Sequence, residues 1–373
     1  MSFAPAGPAP PPWTGWLRRA SSLRHVACPP ARVAPGGTPL RVLQLTNMYP
    51  SVEQPNRGVF VQSQVESLAR HGIACEVEEI RGYLSTMNYL RALPALPALV
   101  RAGGFDLVHM HFGYTALAAV AVRGRPSVLS FCGDDLLGRP DEHGSRSARS
   151  LALAVLGKRA ARRVDAVIVK SEEMARALGP GYRQVDVIPN GLDLDFFQPI
   201  PRALARAALG WPATDEILFF PADSREPRKN FAFARAVEAR LRARGRPVRL
   251  EQMFGRPQAD IALGMAGADV LLSCSIQEGS PNAVKEAMAM NLPVVASDVG
   301  DCAQRLASCS PGAVVALDID AFVAATEAVL RTGGARSNGR VQAAGLGVDA
   351  VAGRVVDVYR RAIERFRSAP ARR

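Results

Sequence analysis

The sequence predicts an α/β protein built from two Rossmann-like domains, each a parallel sheet flanked by helices, facing one another across a central cleft. Three observations carry this. Leu40-Arg-Val-Leu-Gln-Leu45 reads as a buried strand, residues 60–70 as a helix closed by Gly72, and residues 73–80 as the next strand. Far along the chain, Ala268-Asp-Val-Leu-Leu-Ser273 and Leu292-Pro-Val-Val-Ala296 enclose a second helix in the same order. Finally, 373 residues with 48% hydrophobic and 21% charged content suit two globular domains. Ligands of open parallel sheets bind at the C-terminal ends of the strands, so the cleft is where chemistry is expected.

The second unit shows why. Ser280-Pro281 supplies an expected N-cap and first-turn proline, and Asn291 followed by Pro293 ends the helix. The first N–H groups of that helix, at Asn282, Ala283 and Val284, have no intrahelical acceptors and carry the positive end of its dipole, which suits a phosphate. Glu278 precedes the helix and Glu286 lies within it, one on each side of the anion site. Carboxylates are strong acceptors for sugar or ribose hydroxyls. An anion cradle with two hydroxyl acceptors suggests a nucleotide sugar.

Composition narrows the partners. No run of 18 apolar residues exists, the longest candidates being 117–122 and 151–156, so any membrane role is peripheral. The net charge of +12 and pI near 10.0 are compatible with an anionic membrane surface or a phosphorylated ligand. Only Lys158, Lys170, Lys229 and Lys285 are lysines. No aromatic-interleaved basic motif or zinc module is present, so nucleic acid is not expected. Six cysteines without CxxC spacing imply reduced thiols, neither disulfides nor metal, and a cytoplasmic setting. Residues 1–38, rich in Pro, Ala and Gly, with arginines and no acidic residue, are expected to be disordered or to reflect a mis-assigned start.

In chain order, Asn56-Arg-Gly-Val-Phe60 places Gly58 in the first loop, and the glycines spell no dinucleotide fingerprint. Phe105-Asp-Leu-Val-His-Met-His111 is a strand whose His109 and His111 share one face, and they are expected at the cleft. Pro126-Ser-Val-Leu-Ser-Phe-Cys-Gly-Asp-Asp135 follows, bringing Cys132, Asp134 and Asp135. Residues 145–163 form a basic amphipathic helix with Leu151, Val155 and Leu156 on one side, able either to pack on the sheet or to rest on an anionic leaflet. The loop Ala222-Asp-Ser-Arg-Glu-Pro-Arg-Lys-Asn-Phe231 gathers three cations after another strand, and residues 351–366 close the chain as a helix.

The spacing Glu278-x7-Glu286, with Gly279, Ser280, Pro281 and Asn282 between and Leu-Pro-Val-Val beyond, resembles the donor-site signature of retaining GT-B glycosyltransferases of the family 4-like, group 1 kind. The resemblance covers about residues 40–366 and lies nearest the branch that builds bacterial cell-surface polysaccharides. It implies a GT-B fold: a leader at 1–38, an acceptor-side domain at 39–198, a nucleotide-sugar domain at 199–350, and a helix at 351–373 that crosses back to the first domain. It implies transfer of a sugar from a nucleoside diphosphate to a carbohydrate or lipid-linked acceptor, with no metal and no cofactor beyond the donor substrate.

Residue by residue, the resemblance makes Gly58 the place where backbone nears the donor phosphate. Lys229 matches the cation that clamps the diphosphate, and Arg225, with Arg228 as the other candidate, stands in for the usual arginine. Glu278 would hold the donor sugar and Glu286 the ribose. The acceptor side would comprise His109, His111, Cys132, Asp134 and Asp135, with Cys132 standing where the family commonly has histidine. Lys229, Arg225 and Glu278 are the expected catalytic groups, and no nucleophile is assigned. A nucleotide-sugar epimerase of the same fold, or an inactive sugar-binding relative, would share these features and would differ in acceptor-dependent release of nucleoside diphosphate.

Overall fold

The computed structural model describes residues 22–33, 37–82, 84–122 and 124–368. Seven strands make the first sheet: β1 (Leu23–Val26), β2 (Leu40–Thr46), β3 (Ile73–Ile80), β4 (Leu107–His111), β5 (Ser127–Ser130), β6 (Ala166–Val169) and β7 (Val185–Val187). Their order is β1-β3-β2-β4-β5-β6-β7, parallel throughout except β1. The second sheet is wholly parallel and contains β8 (Glu216–Phe220), β9 (Val248–Gln252), β10 (Val270–Ser273), β11 (Val294–Ser297) and β12 (Ala313–Val315) in the order β12-β11-β10-β8-β9. Strands covered by helices on both faces are apolar in runs rather than alternately, which is why Leu-Phe-Phe and Val-Val-Ala segments recur in the sequence.

Edge strand β1 corrects the expectation that residues 1–38 lie outside the fold; residues 1–21 and 34–36 are outside the described residues. The physical reason lies in β3. Its Glu78 and Glu79 are buried, and buried carboxylates demand partners. His25 meets Glu78 at 2.8 Å, while Arg24 and Arg57 each approach Glu79 at 2.6 Å. Adjacent Glu78 and Glu79, which point to opposite faces of β3, were the available sign.

The chain's last helix, Val348–Ser368, returns to the first domain and packs with helix Val59–Arg70 on one face of its sheet. Val351, Val355, Tyr359 and Ile363 are spaced at helical intervals and buried together. Each such side chain contributes roughly 1.5–3 kcal/mol on leaving water. Tyr359 also closes a buried polar chain. Its hydroxyl lies 2.7 Å from His109 Nδ1 and accepts from Gln44 Nε2 at 3.2 Å, Gln44 Oε1 lies 2.8 Å from His111 Nε2, and His109 Nε2 is 2.8 Å from Ser130 Oγ.

Candidate active site

The helix after β10 runs Asn282–Ala289, with Asn291 in the left-handed conformation just beyond it. Its N-cap is Pro281, not Ser280 as the sequence suggested, and no side chain caps it. The Ser280 hydroxyl instead donates to Asp301 Oδ2 at 2.9 Å, which Arg305 Nε also engages at 2.8 Å. The first N–H groups of the helix are thereby left without a side-chain acceptor, which is what an anion site requires.

Glu278, 7% exposed, sits before this helix at the focus of a cationic cluster. Lys229 Nζ lies 2.5 Å from Oε1, Arg228 donates to Oε2 at 2.8 Å, and the Ser275 hydroxyl donates to Oε1 at 2.9 Å. Burial pushes the carboxyl up, but Lys229 and Arg228 outweigh it and hold the group at about 2. The two cations come from residues 227–229, a single 3₁₀ turn after β8, which places them side by side. Arg225 is not in this cluster. Its guanidinium is 84% exposed and forks onto Asp223 at 3.0 Å, so the arginine beside Lys229 is Arg228. The cause is local: Asp223 sits two residues back and captures Arg225 in solvent.

Glu286 and Lys285 reach a cleft of about 730 Å³ whose other walls come from the first loop, the junction at Gly191 and the loop around Phe254 and Gly255. Burial pushes the Glu286 carboxyl up to about 7, and no donor among the described residues hydrogen-bonds to it. Lys285, 1% exposed, donates to Asn190 O at 3.0 Å, and burial pushes it down to about 8. Sequence reasoning did not single out Lys285, although a lysine inside Ala-Val-Lys-Glu-Ala-Met was its sign. Gly58 also lines this cleft, with φ of 72° at the N-cap of helix Val59–Arg70. A side chain there would come within 2.5 Å of Met48 O, so both its backbone angle and the close approach of the loop after β2 require glycine.

On the other side, the expected residues divide. Asp134 faces Arg228 at 3.5 Å and accepts from Gln277 at 3.2 Å, so it joins the cluster across the domain boundary. Asp135 is fully buried and structural: its carboxylate accepts backbone N–H bonds from Gly113, Cys132 and Gly133 at 2.6–2.9 Å. Burial pushes it up to about 6. Cys132 abuts the second domain, its carbonyl 3.0 Å from where a Gly279 side chain would begin, and burial pushes its thiol up to about 12. His109 and His111 do not line the cleft. They are 0% and 2% exposed within the Tyr359 network, and burial holds both below the ordinary histidine value.

Two Rossmann-like domains meeting around a cationic cluster form the architecture of the GT-B fold. The comparisons agree. The family described as Glycosyltransferase Family 4 matches residues 45–196, and Glycosyl transferases group 1 matches residues 227–332. Between them these spans take in most of both domains, and the chain belongs to the family 4, group 1 glycosyltransferases. Among relatives, the chain is 25% identical over 327 residues to TuaC of Bacillus subtilis (strain 168), whose name places it as a glycosyltransferase in teichuronic acid biosynthesis. That match covers 70% of this chain and 82% of TuaC. It is also 25% identical over 246 residues to the D-inositol 3-phosphate glycosyltransferase of Mycobacterium bovis (strain BCG / Pasteur 1173P2), covering 54% of this chain and about half, 49%, of that protein.

Solved structures share the fold. Sucrose-phosphate synthase from Thermosynechococcus elongatus superposes with a TM-score of 0.68 at 18% identity, covering 88% of this chain and all of that one. A trehalose-phosphate synthase from Burkholderia xenovorans in complex with glucose-6-phosphate gives 0.64 at 12%, covering 86% and 100%. Anabaena HepE in complex with UDP gives 0.56 at 18%, covering 88% and 100%.

Proposed function

We propose that this glycosyltransferase takes its sugar from a nucleoside diphosphate and transfers it, with retention of configuration, to a carbohydrate or lipid-linked acceptor in cell-surface polysaccharide or glycolipid synthesis. The observation that supports this most is the Glu278 cluster: two cations converge on one carboxylate beside an uncapped helix start. A diphosphate entering there would meet Arg228, Lys229 and the N–H groups of Asn282, Ala283 and Val284. Those groups would then stabilise the charge that grows on the leaving diphosphate as its bond to the sugar breaks. Freed from its cations, Glu278 would accept from hydroxyls of the sugar, and Glu286 from those of the ribose. The acceptor oxygen would form the new bond on the face the diphosphate leaves, its proton passing to the departing phosphate. The cations supply the countercharge, and we propose no metal or further cofactor.

The acceptor reading has its own support. Of the two placements open to helix Ala148–Ala161, the leucine side faces outward: Ala154, Gly157, Ala160 and Ala161 are buried, while Leu151, Val155 and Leu156 are 43–45% exposed. Gly157 lets the helix lie against Gly113, a Cβ there being 3.2 Å from Gly113 O. Arg149, Arg159 and Arg163 are exposed on the same helix and its end. Among the described residues no helix is long and apolar enough to cross a membrane. Apolar side chains fringed by arginine suit the surface of an anionic leaflet, which would bring a lipid-linked acceptor to the first domain at the inner face of the membrane.

Acceptor-dependent release of nucleoside diphosphate tests transfer directly. Release from a UDP-, GDP- or ADP-sugar only when a lipid-linked or oligosaccharide acceptor is supplied is the expected outcome; conversion of donor without acceptor would contradict it. Flotation with phosphatidylglycerol vesicles tests the surface. Binding should fall sharply in Val155→Glu, and equal flotation of both proteins would rule the surface out.

A further inference from the structure

Lys170 follows β6, at the C-terminal edge of the first sheet, and is 3% exposed. Its ammonium makes no hydrogen bond or ion pair with a described residue, yet its nitrogen is not one of the described buried atoms sealed away without a partner. It therefore reaches accessible space from a nearly buried stem. Burial lowers its proton affinity, and its charge is felt by His111 at the end of β4, by Cys132 after β5, and by Lys285 on the facing helix of the second domain. The adjacent carboxylate does not neutralise it through contact, since the Asp135 oxygens are taken by the N–H groups of Gly113, Cys132 and Gly133. A desolvated cation without a partner is costly to keep. Such a group persists where something anionic completes it.

We infer that Lys170 is a specificity residue that binds a negatively charged substituent, a carboxylate or phosphate, on one of the sugars brought together at the transfer point. The position supports the sugars rather than the diphosphate: Lys170 follows β6, which pairs with β5 and so sits next to the Cys132 backbone that meets Gly279, whereas Arg228 and Lys229 come from the second domain and hold Glu278. The inference rests on the proposed donor site. The charged sugar can be the donor's or the acceptor's, and the two sources are separable.

The test compares wild type with Lys170→Met, which keeps the stem and removes the charge. Calorimetry would use UDP-glucuronate against UDP-glucose, the matching GDP-mannuronate and GDP-mannose pair, and the free diphosphates. Turnover would compare acceptors with and without a phosphate or carboxylate. The expected result is a preference for the charged member of the donor pair or of the acceptor pair, reduced about tenfold or more in Lys170→Met. Binding of free diphosphate should be unchanged and the melting temperature not lowered. Preference for neutral sugars in both arms, or an undiminished preference in the variant, would overturn the inference. So would an equal loss of free diphosphate binding, which would move Lys170 to the diphosphate. Failure of wild type to bind any nucleotide would instead strike the donor-site reading.

Discussion

At the scale of single residues, the site is a competition for charge. Glu278 is stabilised by Lys229 and Arg228 in the absence of ligand, and the sign follows from its lowered value. That contribution to stability is complete above its ordinary value of 4.5 and is lost as pH falls toward about 2. Glu286 is the reverse case, raised to about 7 by burial. If ribose hydroxyls donate to it, its ionised form is favoured on binding, so nucleotide affinity should rise as pH increases through 7. Glu286→Gln should bind more weakly at pH 8 and show little change between pH 6 and 8. Calorimetry at three pH values reads this, and a wild-type affinity independent of pH would contradict it. The glutamates were legible because spacing and helix signals fix them. Arg228 over Arg225 was not, because Asp223 decides it by a two-residue contact that no periodicity encodes.

At the scale of elements, helix Val348–Ser368 ties the second domain back to the first sheet. Tyr359 is fully buried, and its hydroxyl serves His109 and Gln44 together. Tyr359→Phe keeps the ring and strands both partners, so stability should fall by about 1–3 kcal/mol, measured as a shift in denaturant midpoint. No change would mean that the network is not a structural tie. The strands and the helices flanking the two strand-helix-strand units were readable from apolar runs and caps. Strand β1 was not, since Leu-Arg-His-Val carries no alternation and its role shows only through Glu78 and Glu79. The histidines were placed on one face correctly, but that face is covered by the terminal helix from more than 200 residues away. For helix Ala148–Ala161 the sequence left open which way the leucine side turns; close packing against Gly113 favours alanine and glycine over leucine and turns that side outward.

At the scale of the whole molecule, the two domains touch where the chemistry is proposed. Arg139 meets Glu226 at 2.6 Å, Gln277 donates to Gly138 O at 2.7 Å, and Gly300 N donates to Glu173 at 2.7 Å. Gly279 fits between Cys132 and Met174 only because it lacks a side chain, a Cβ there falling 2.9–3.0 Å from both. The domains thus meet around Glu278, and Asn56 of the first loop reaches Arg256 O at 3.2 Å along the cleft that Gly58 and Glu286 line. Long-range contacts of this kind are set by how two domains dock, and single-chain patterning carries little of that. Sequence could name Asp134 but not the partner across the boundary that gives it a role.

The most direct measurement is calorimetric binding of free UDP, GDP and ADP to wild type and to Arg228→Ala, Lys229→Ala and Arg225→Ala. Loss of a charge-assisted bond to phosphate should weaken the preferred diphosphate roughly tenfold to a hundredfold in the first two variants and leave Arg225→Ala near wild type. Equal affinity in all four proteins, or a loss confined to Arg225→Ala, would contradict the assignment of Arg228 and Lys229 as the cations that hold the donor.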